Sequence, residues 1–154
     1  MLKNADFELA NNNEIYKTGV IRQFNLTFKL AWKAVKAVLR AHGVESAATG
    51  SPREILQMGY KYGFVDDSAV WLLMLKKRNA SVHIYDEDKI DEMLLLIRDS
   101  FIPAFIALEE TLRNKFEESR GRLDVKHSGA ASLQRKGQSL AALMFYKQAS
   151  KQIK

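Results

Sequence analysis

Cysteine, proline and long apolar runs are scarce in this sequence. It has no cysteine and only two prolines in 154 residues. The lack of cysteine excludes a disulfide framework, a cysteine-ligated metal site and thiol chemistry. No apolar run approaches the ~18 residues that a membrane span needs. The N-terminal MLKNADFELANNN also lacks the basic and apolar regions of a secretory signal. These absences predict a cytoplasmic protein without a membrane segment.

Positive charge is concentrated towards one end of the chain. The formal net charge is +6, yet residues 1–118 carry 16 Lys and Arg against 17 Asp and Glu. Residues 119–154 carry eight basic residues against Asp124 alone. A basic segment of this kind is usually a solvated or disordered tail, but it can also be an arm that binds nucleic acid or an acidic partner. Both interpretations stay open on charge alone.

Apolar residues recur at helical spacing along most of the chain. Across residues 14–42 they stand three or four positions apart, which predicts one long amphipathic helix closed by Gly43. The residues SPRE at 51–54 combine a capping serine, a proline and a glutamate, as at many helix starts. They predict a short second helix that runs to about Tyr62. Strand-like alternation, internal repeats and long heptad runs are missing from the sequence.

Two further helices are predicted in the second half of the chain. Asp66 or Asp67 caps a third helix through SAVWLLMLKK, whose dense apolar residues predict that it is the buried, central helix. Its regularity ends near Arg78. Asp86 caps a fourth helix, and Pro103 should kink this helix rather than end it, because the apolar stripe continues beyond the proline. We therefore predict an all-α fold, an antiparallel bundle of four to five helices.

The helical pattern suggests three regions. Residues 1–13 form a short N-terminal segment, and residues 14–118 form the bundle. Residues 119–154 form a basic linker that ends in a helix over Ser139–Gln152, since glycine is frequent and apolar residues are few before Ser139.

Histidine is the side chain most suited to proton transfer near neutral pH, and the sequence has three. His42 ends the first long helix, where an imidazolium favours the negative end of the helix dipole, so we predict a structural role. His127 lies in the basic tail without a nearby partner residue. His83 remains as the candidate for chemistry.

Arg78 precedes His83 by five residues in KKRNASVHIYDED. In an unbroken helix, residues five apart point about 140° away from each other. A helix break within NASV would let the guanidinium hold a phosphate while the imidazole transfers a proton. The spacing alone also fits an ordinary surface pair, so it does not decide between the two.

Four segments carry a resemblance to a known family. RNASVH followed by Ile84 and Tyr85 resembles the signature of the HEPN superfamily. In addition, VIRQFNLTFKLAWKAVKAVL, SPREILQMGYKYGFVDD, VWLLMLKKRNASVHIYDEDKIDEM and FIPAFIALEETL occur in the order found in HepT-like, nucleotidyltransferase substrate-binding proteins. The resemblance covers roughly residues 15–118.

The resemblance implies a HEPN-type homodimer whose Arg and His residues lie near a shared cleft. It also implies a partner, a minimal nucleotidyltransferase encoded nearby. In toxin members the protein is a metal-independent endoribonuclease, so neither a metal nor another cofactor is expected. Carried over, Arg78 would hold the scissile phosphate and His83 would be the general acid or base, with Asn79 as a supporting residue. Tyr85 would be the nucleotidylation site, or alternatively a half-buried tyrosine that anchors the loop.

Five basic residues of the long first helix share one face. These residues can form an ordinary solvated helix surface, or they can form a positively charged surface that binds an RNA backbone. The five residues are Arg22, Lys29, Lys33, Lys36 and Arg40.

Relatives tend to carry a full N-terminal helix before VIRQF, whereas about 13 largely polar residues precede Glu14 here. Either that helix is short, or the Ser139–Gln152 segment packs into its place, on its own chain or on a partner copy.

Three functions are compatible with these residues. The leading hypothesis is an endoribonuclease toxin of a toxin-antitoxin module, inhibited by nucleotidylation. The second is a non-catalytic subunit that binds substrate or nucleotide for a nucleotidyltransferase. The third is a structural homodimer in which the motif is a relic. Arg78 and His83 alone do not separate them, because residues that bind a phosphate need not cleave it.

Overall fold

The computed structural model describes residues 2–81, 86–123 and 143–153, and it is helical throughout these ranges apart from short connections. The predicted all-α bundle is confirmed, although the described residues form seven α-helices rather than four to five. The α-helices, in chain order, are α1 (Phe7–Asn12), α2 (Glu14–Ala41), α3 (Pro52–Lys61), α4 (Ser68–Ala80), α5 (Glu87–Leu96), α6 (Ile102–Leu123) and α7 (143–153). In the described part of the chain, no helix is both long and apolar enough to span a bilayer.

Helix α2 lies at the centre of the bundle. Its start is capped by Asn13, whose side chain accepts a hydrogen bond from the Tyr16 amide, and its C-cap is His42. Gly43 follows with φ +84°, a left-handed conformation that glycine adopts without strain. The prediction of one helix over residues 14–42 is therefore confirmed. Helices α1, α3, α4, α5 and α6 all contact it.

Helix α3 begins as the sequence predicts. Ser51 accepts a hydrogen bond from the Glu54 amide, and the Glu54 carboxylate accepts one from the Ser51 amide. These bonds hold the pKa of Glu54 below its usual range. Further along, α3 packs tightly on α2. A Cβ atom added at Gly59 would lie 2.8 Å from Cγ1 of Val35, so glycine permits the close approach of the two helices.

The prediction that the third helix, α4, is the buried centre is wrong. Only Trp71 and Met74 are buried in α4, whereas ten residues are buried in α2. Leu72, Leu73 and Leu75 are partly exposed. Helix α2 takes the central place because it is long enough for the other helices to pack along it.

Helices α5 and α6 are joined without a loop. A π-helical turn, Ile97–Phe101, connects them, and Pro103 lies in the first turn of α6. Pro103 has no amide hydrogen to donate to the carbonyl of Asp99, four residues earlier. The π-helical turn is wider than an α-helical turn, so the chain continues as a helix although this bond is missing. The helical path continues past Pro103, as predicted.

Aromatic side chains fill the core between α2, α4 and α6. The Phe24 ring stacks on Phe101 with centroids 5.2 Å apart and lies 6.1 Å from Phe105. Trp71 meets the Phe105 ring edge-on at 5.5 Å and lies 6.2 Å from Phe28. All five rings are at most 2% exposed. This cluster fixes α2 relative to α4 and α6.

The first alternative proposed for the N-terminal region, a short helix, is confirmed. The N-terminal helix α1 is short, with six residues. Helix α7 packs against the body of its own chain, where Ile153 is buried and the Tyr146 ring lies 5.6 Å from Phe116. Two hydrogen bonds hold α7 to the body: Gln23 to Gln152, and Ser150 to Glu109 at 2.9 Å.

The predicted linker differs from the structure at its start. Helix α6 continues to Leu123, five residues beyond Glu118. The rest of the linker, together with residues 139–142 of the predicted C-terminal helix, lies outside the described residues.

The docking of α7 should weaken at high pH. Burial raises the pKa of Tyr146 above its usual value of 10.0. Because the folded protein disfavours the ionised Tyr146 side chain, the free energy of unfolding falls as that side chain ionises. The loss begins above the ordinary pKa of tyrosine and is complete once the pH exceeds the pKa of Tyr146 in the folded protein. We expect the urea midpoint of the wild type to fall above about pH 10 relative to a Tyr146→Phe variant. A constant difference between the two from pH 8 to 11 would contradict this.

Candidate functional site

Arg78 lies on the core-facing side of α4. It follows Trp71 by seven residues and Met74 by four, so the three side chains share one helical face. Trp71 and Met74 are buried, while Arg78 is half-buried. The guanidinium therefore emerges at the end of the buried stripe, beside the bundle.

Helix α4 ends between positions 78 and 83, as predicted, although two residues beyond Arg78. Ala80 is its last residue, and Ser81 is the C-cap. The sequence-predicted His83 and Tyr85 lie outside the described residues, as do Val82 and Ile84. Their roles remain predictions.

A chain of hydrogen bonds connects the end of α4 to α2. The Ser81 hydroxyl donates to the Arg78 carbonyl at 2.7 Å, and Nδ2 of Asn25 donates to Ser81 Oγ at 3.1 Å. We refer to these two bonds as the Asn25–Ser81 bridge. Sequence reasoning missed both residues. The one signal in the sequence was Asn25, a polar uncharged residue in α2, most of whose residues are apolar or basic.

The Arg78 side chain keeps most of its donors available. Its Nη1 donates to Oδ1 of the neighbouring Asn79 at 3.4 Å, at the long end of the hydrogen-bond range. Within residues 2–81, 86–123 and 143–153, no carboxylate forms an ion pair with Arg78. Asn79 therefore lies beside the guanidinium, and its supporting role stays a prediction. The charge of Arg78 is not neutralised by the described residues.

The middle of α5 is attached to α2 and α4. Lys77 Nζ lies 3.1 Å from Oε1 of Glu92. Lys17, which is only 5% exposed, places its Nζ 2.8 Å from Asp91 and 3.3 Å from Glu14. The hydrogen bond to Asp91 is the main reason that the pKa of Lys17 is raised. Contacts on both sides of residues 82–85 thus join α4 and α5 to the rest of the bundle.

The five basic residues of α2 lie on one face. Their side chains fall within an arc of about 60° around the helix axis. Arg22, Lys29 and Arg40 are exposed, whereas Lys33 and Lys36 are half-buried. None of them forms an ion pair with any residue that the structure describes. We call this set the basic face.

The basic face borders the Asn25–Ser81 bridge. Asn25 points about 20° beyond the edge of the arc. It also stands three residues after Arg22 and four before Lys29, about one turn from each. Two unpaired charges of α2, Arg22 and Lys29, therefore lie about one turn from the residue that bonds to the end of α4.

His42 has the predicted structural position: its Nδ1 lies 2.9 Å from the Val38 carbonyl oxygen, and its ring packs edge-on against Phe64 at 5.2 Å. His127 lies outside the described residues. Over the described ranges, no group of three His, Asp or Glu side chains converges in a way that could hold a metal ion.

Two comparisons with known proteins agree on the family. The family model described as "Nucleotidyltransferase substrate binding protein like" matches residues 2–114, from before α1 into α6. A protein of Haemophilus influenzae (strain ATCC 51907 / DSM 11121 / KW20 / Rd), described as "Probable ribonuclease HepT", is 26% identical over 102 residues. That alignment covers 64% of this chain and 70% of the Haemophilus protein.

Proposed function

Because the chain belongs to the nucleotidyltransferase substrate binding protein like family, we propose that it is a HEPN-type endoribonuclease that acts without a metal ion. The observation that best supports the proposal is the position of Arg78. It is a half-buried arginine with no carboxylate partner among the described residues, and it borders a basic face. A site that holds an RNA phosphate needs this combination of free donors and positive potential.

The proposed reaction is a transesterification. The 2′-oxygen of the RNA attacks the adjacent phosphorus atom, and the bond from phosphorus to the 5′-oxygen breaks. Arg78 donates hydrogen bonds to the phosphate oxygens, whose negative charge grows in the transition state. A proton leaves the 2′-hydroxyl, and a proton joins the leaving 5′-oxygen. His83 carries out one of these transfers, as base or as acid, and water exchanges the other proton. The products are a 2′,3′-cyclic phosphate and a 5′-hydroxyl.

The cleavage activity can be tested with purified protein and RNA in the presence of a chelator. The wild type should cleave, and a His83→Ala variant should cleave about 10²–10⁴ times more slowly, since general acid–base catalysis has that magnitude. Equal rates for the two proteins would remove the proposal.

The second candidate is a non-catalytic subunit that binds substrate or nucleotide for a nucleotidyltransferase. The description of the matching family favours it. This candidate predicts that wild-type protein binds RNA or nucleotide without cleaving it, and that Arg78→Ala weakens the binding. His83-dependent cleavage would count against it.

The proposed partner is a minimal nucleotidyltransferase encoded nearby, which would inhibit the protein by adding AMP to Tyr85. Such a pair would operate as a toxin-antitoxin module. Intact-mass analysis after co-expression should show AMP additions that are absent from a Tyr85→Phe variant. An unmodified wild type beside an active partner enzyme would contradict this part of the proposal.

We also propose that the protein is a homodimer. The supporting observation is the outer side of α4, where Leu72 remains partly exposed beside exposed Ala69. Sedimentation should give about twice the 17.5 kDa chain mass. A monomer at micromolar concentration would contradict the proposal.

The basic face is proposed to bind the RNA backbone. Each phosphate contact releases counterions, so loss of one contact lowers the salt slope of binding by about one. Lys29→Ala and Arg40→Ala should each weaken RNA binding uniformly across sequences and reduce this slope. Arg53→Ala, which removes an exposed charge from α3, is the matched control. If all three variants had equal salt slopes of RNA binding, the basic face would be an ordinary solvated helix surface and not an RNA-binding one.

A further inference from the structure

Helix α2 holds the chain on both sides of residues 82–85. Before this segment, Asn25 donates a hydrogen bond to Ser81 at 3.1 Å. After it, Lys17 pairs with Asp91 at 2.8 Å. The two α2 residues are eight positions apart, which corresponds to about 12 Å along the helix. One helix therefore contacts both the end of α4 and the middle of α5.

We propose that Asn25 is a positioning residue for Arg78. The inference rests on the proposed function, because it assumes that Arg78 binds the scissile phosphate. Asn25 does not touch the substrate in this account. It acts through Ser81, whose hydroxyl is bonded to the carbonyl oxygen of Arg78 itself.

The geometry of the bridge accounts for this role. The Ser81 hydroxyl has one hydrogen to donate and gives it to the Arg78 carbonyl at 2.7 Å, while its oxygen accepts from Asn25. One hydroxyl therefore satisfies both contacts at once. Ser81 is at the C-cap, where the last carbonyls of α4 lack partners within the helix. Without Asn25, the Ser81 hydroxyl would keep only its bond to the Arg78 carbonyl. That bond lies within α4 and its C-cap, so it does not hold α4 against α2.

The position of this helix end matters because Arg78 must meet a phosphate with paired donors. A displacement of about 1 Å in a catalytic group can lower a rate by about 10²-fold. Asn25 is half-buried, and Nδ2 of its side chain donates to Ser81 Oγ. Lys17, whose buried charge pairs with Asp91, joins α2 to the middle of α5.

The test compares four variants with the wild type: Asn25→Ala, Ser81→Ala, the double variant, and Gln23→Ala. The last is the matched control, because Gln23 is on the same helix but bonds to Gln152 of α7. Two quantities are measured. The first is kcat and KM for RNA cleavage, and the second is the NMR resonance of the Arg78 Nε–H group.

Each single variant of the bridge should lower kcat tenfold or more with KM within twofold. The double variant should lower kcat no further, because either change already removes the bridge. Gln23→Ala should match the wild type. The Arg78 resonance should shift in Asn25→Ala and Ser81→Ala but not in Gln23→Ala.

The outcomes separate the two claims. If the wild type cleaves RNA and Asn25→Ala has the same kcat, the positioning role is overturned while the proposed function stands. Additive losses in the double variant would also overturn it. If the wild type does not cleave RNA, the proposed function fails, and the Arg78 resonance then decides: a shift confined to the bridge variants supports the positioning role, and an unshifted resonance overturns it.

Discussion

Replacing Arg78 with alanine should lower the rate of RNA cleavage by about 10²–10³-fold or more, because removal of one donor to a developing oxyanion has that cost. Arg78→Lys should recover only part of the rate. Lysine keeps the charge, but it lacks the planar pair of donors that binds two phosphate oxygens together. The rate constants are measured on one RNA substrate under single-turnover conditions.

The matched control is Lys76→Ala. Lys76 is an exposed cation two residues earlier on the same helix, so the variant removes the same charge without touching the inward face. It should retain nearly the wild-type rate. Equal losses in the two variants would mean that overall charge, rather than the position of Arg78, supports cleavage. Circular dichroism spectra should show that all variants are folded.

Truncating Phe24 to alanine should reduce the free energy of unfolding by about 3–5 kcal/mol, the usual cost of removing a buried phenylalanine from a core. Phe24 is fully buried, and its ring contacts those of Phe28, Phe101 and Phe105. Its removal leaves a cavity where α2 meets α6. The change is measured by urea unfolding with the C-terminal helix present.

The control for this variant is Leu26→Ala on the same helix. Leu26 is 42% exposed, so this variant should lose no more than about 1 kcal/mol of its free energy of unfolding. Because Phe24 precedes Asn25, the Phe24 variant should also lose RNA cleavage at temperatures where it is still folded. A Phe24→Ala protein as stable as the Leu26 variant would show that the aromatic cluster does not fix α2.

Local signals in the sequence were sufficient for the starts of helices α2 to α5. The capping box at Ser51 and Glu54 depends on side chains three residues apart, and both of its bonds are present. The course of the chain through Pro103 also followed from the apolar pattern on both sides of the proline. These features depend on neighbours in the chain, which a sequence displays directly.

Packing between distant segments could not be predicted in the same way. The density of apolar residues in α4 indicated a central helix, yet the surroundings of each residue depend on which other helices pack against it. Asn25 and Ser81 are 56 residues apart, and no local pattern connects them. Arg78 was identified through the motif, but the bridge that holds it required the three-dimensional arrangement.

The ends of the cleaved RNA test the central claim most directly. RNA is incubated with the wild type in chelator, and the fragments are weighed by mass spectrometry. The proposed attack by the 2′-oxygen predicts a 2′,3′-cyclic phosphate on one fragment and a 5′-hydroxyl on the other. A single 2′-deoxy substitution at the cleavage site should block the reaction. Fragments that carry a 3′-hydroxyl and a 5′-phosphate, or cleavage that survives the deoxy substitution, would contradict the mechanism.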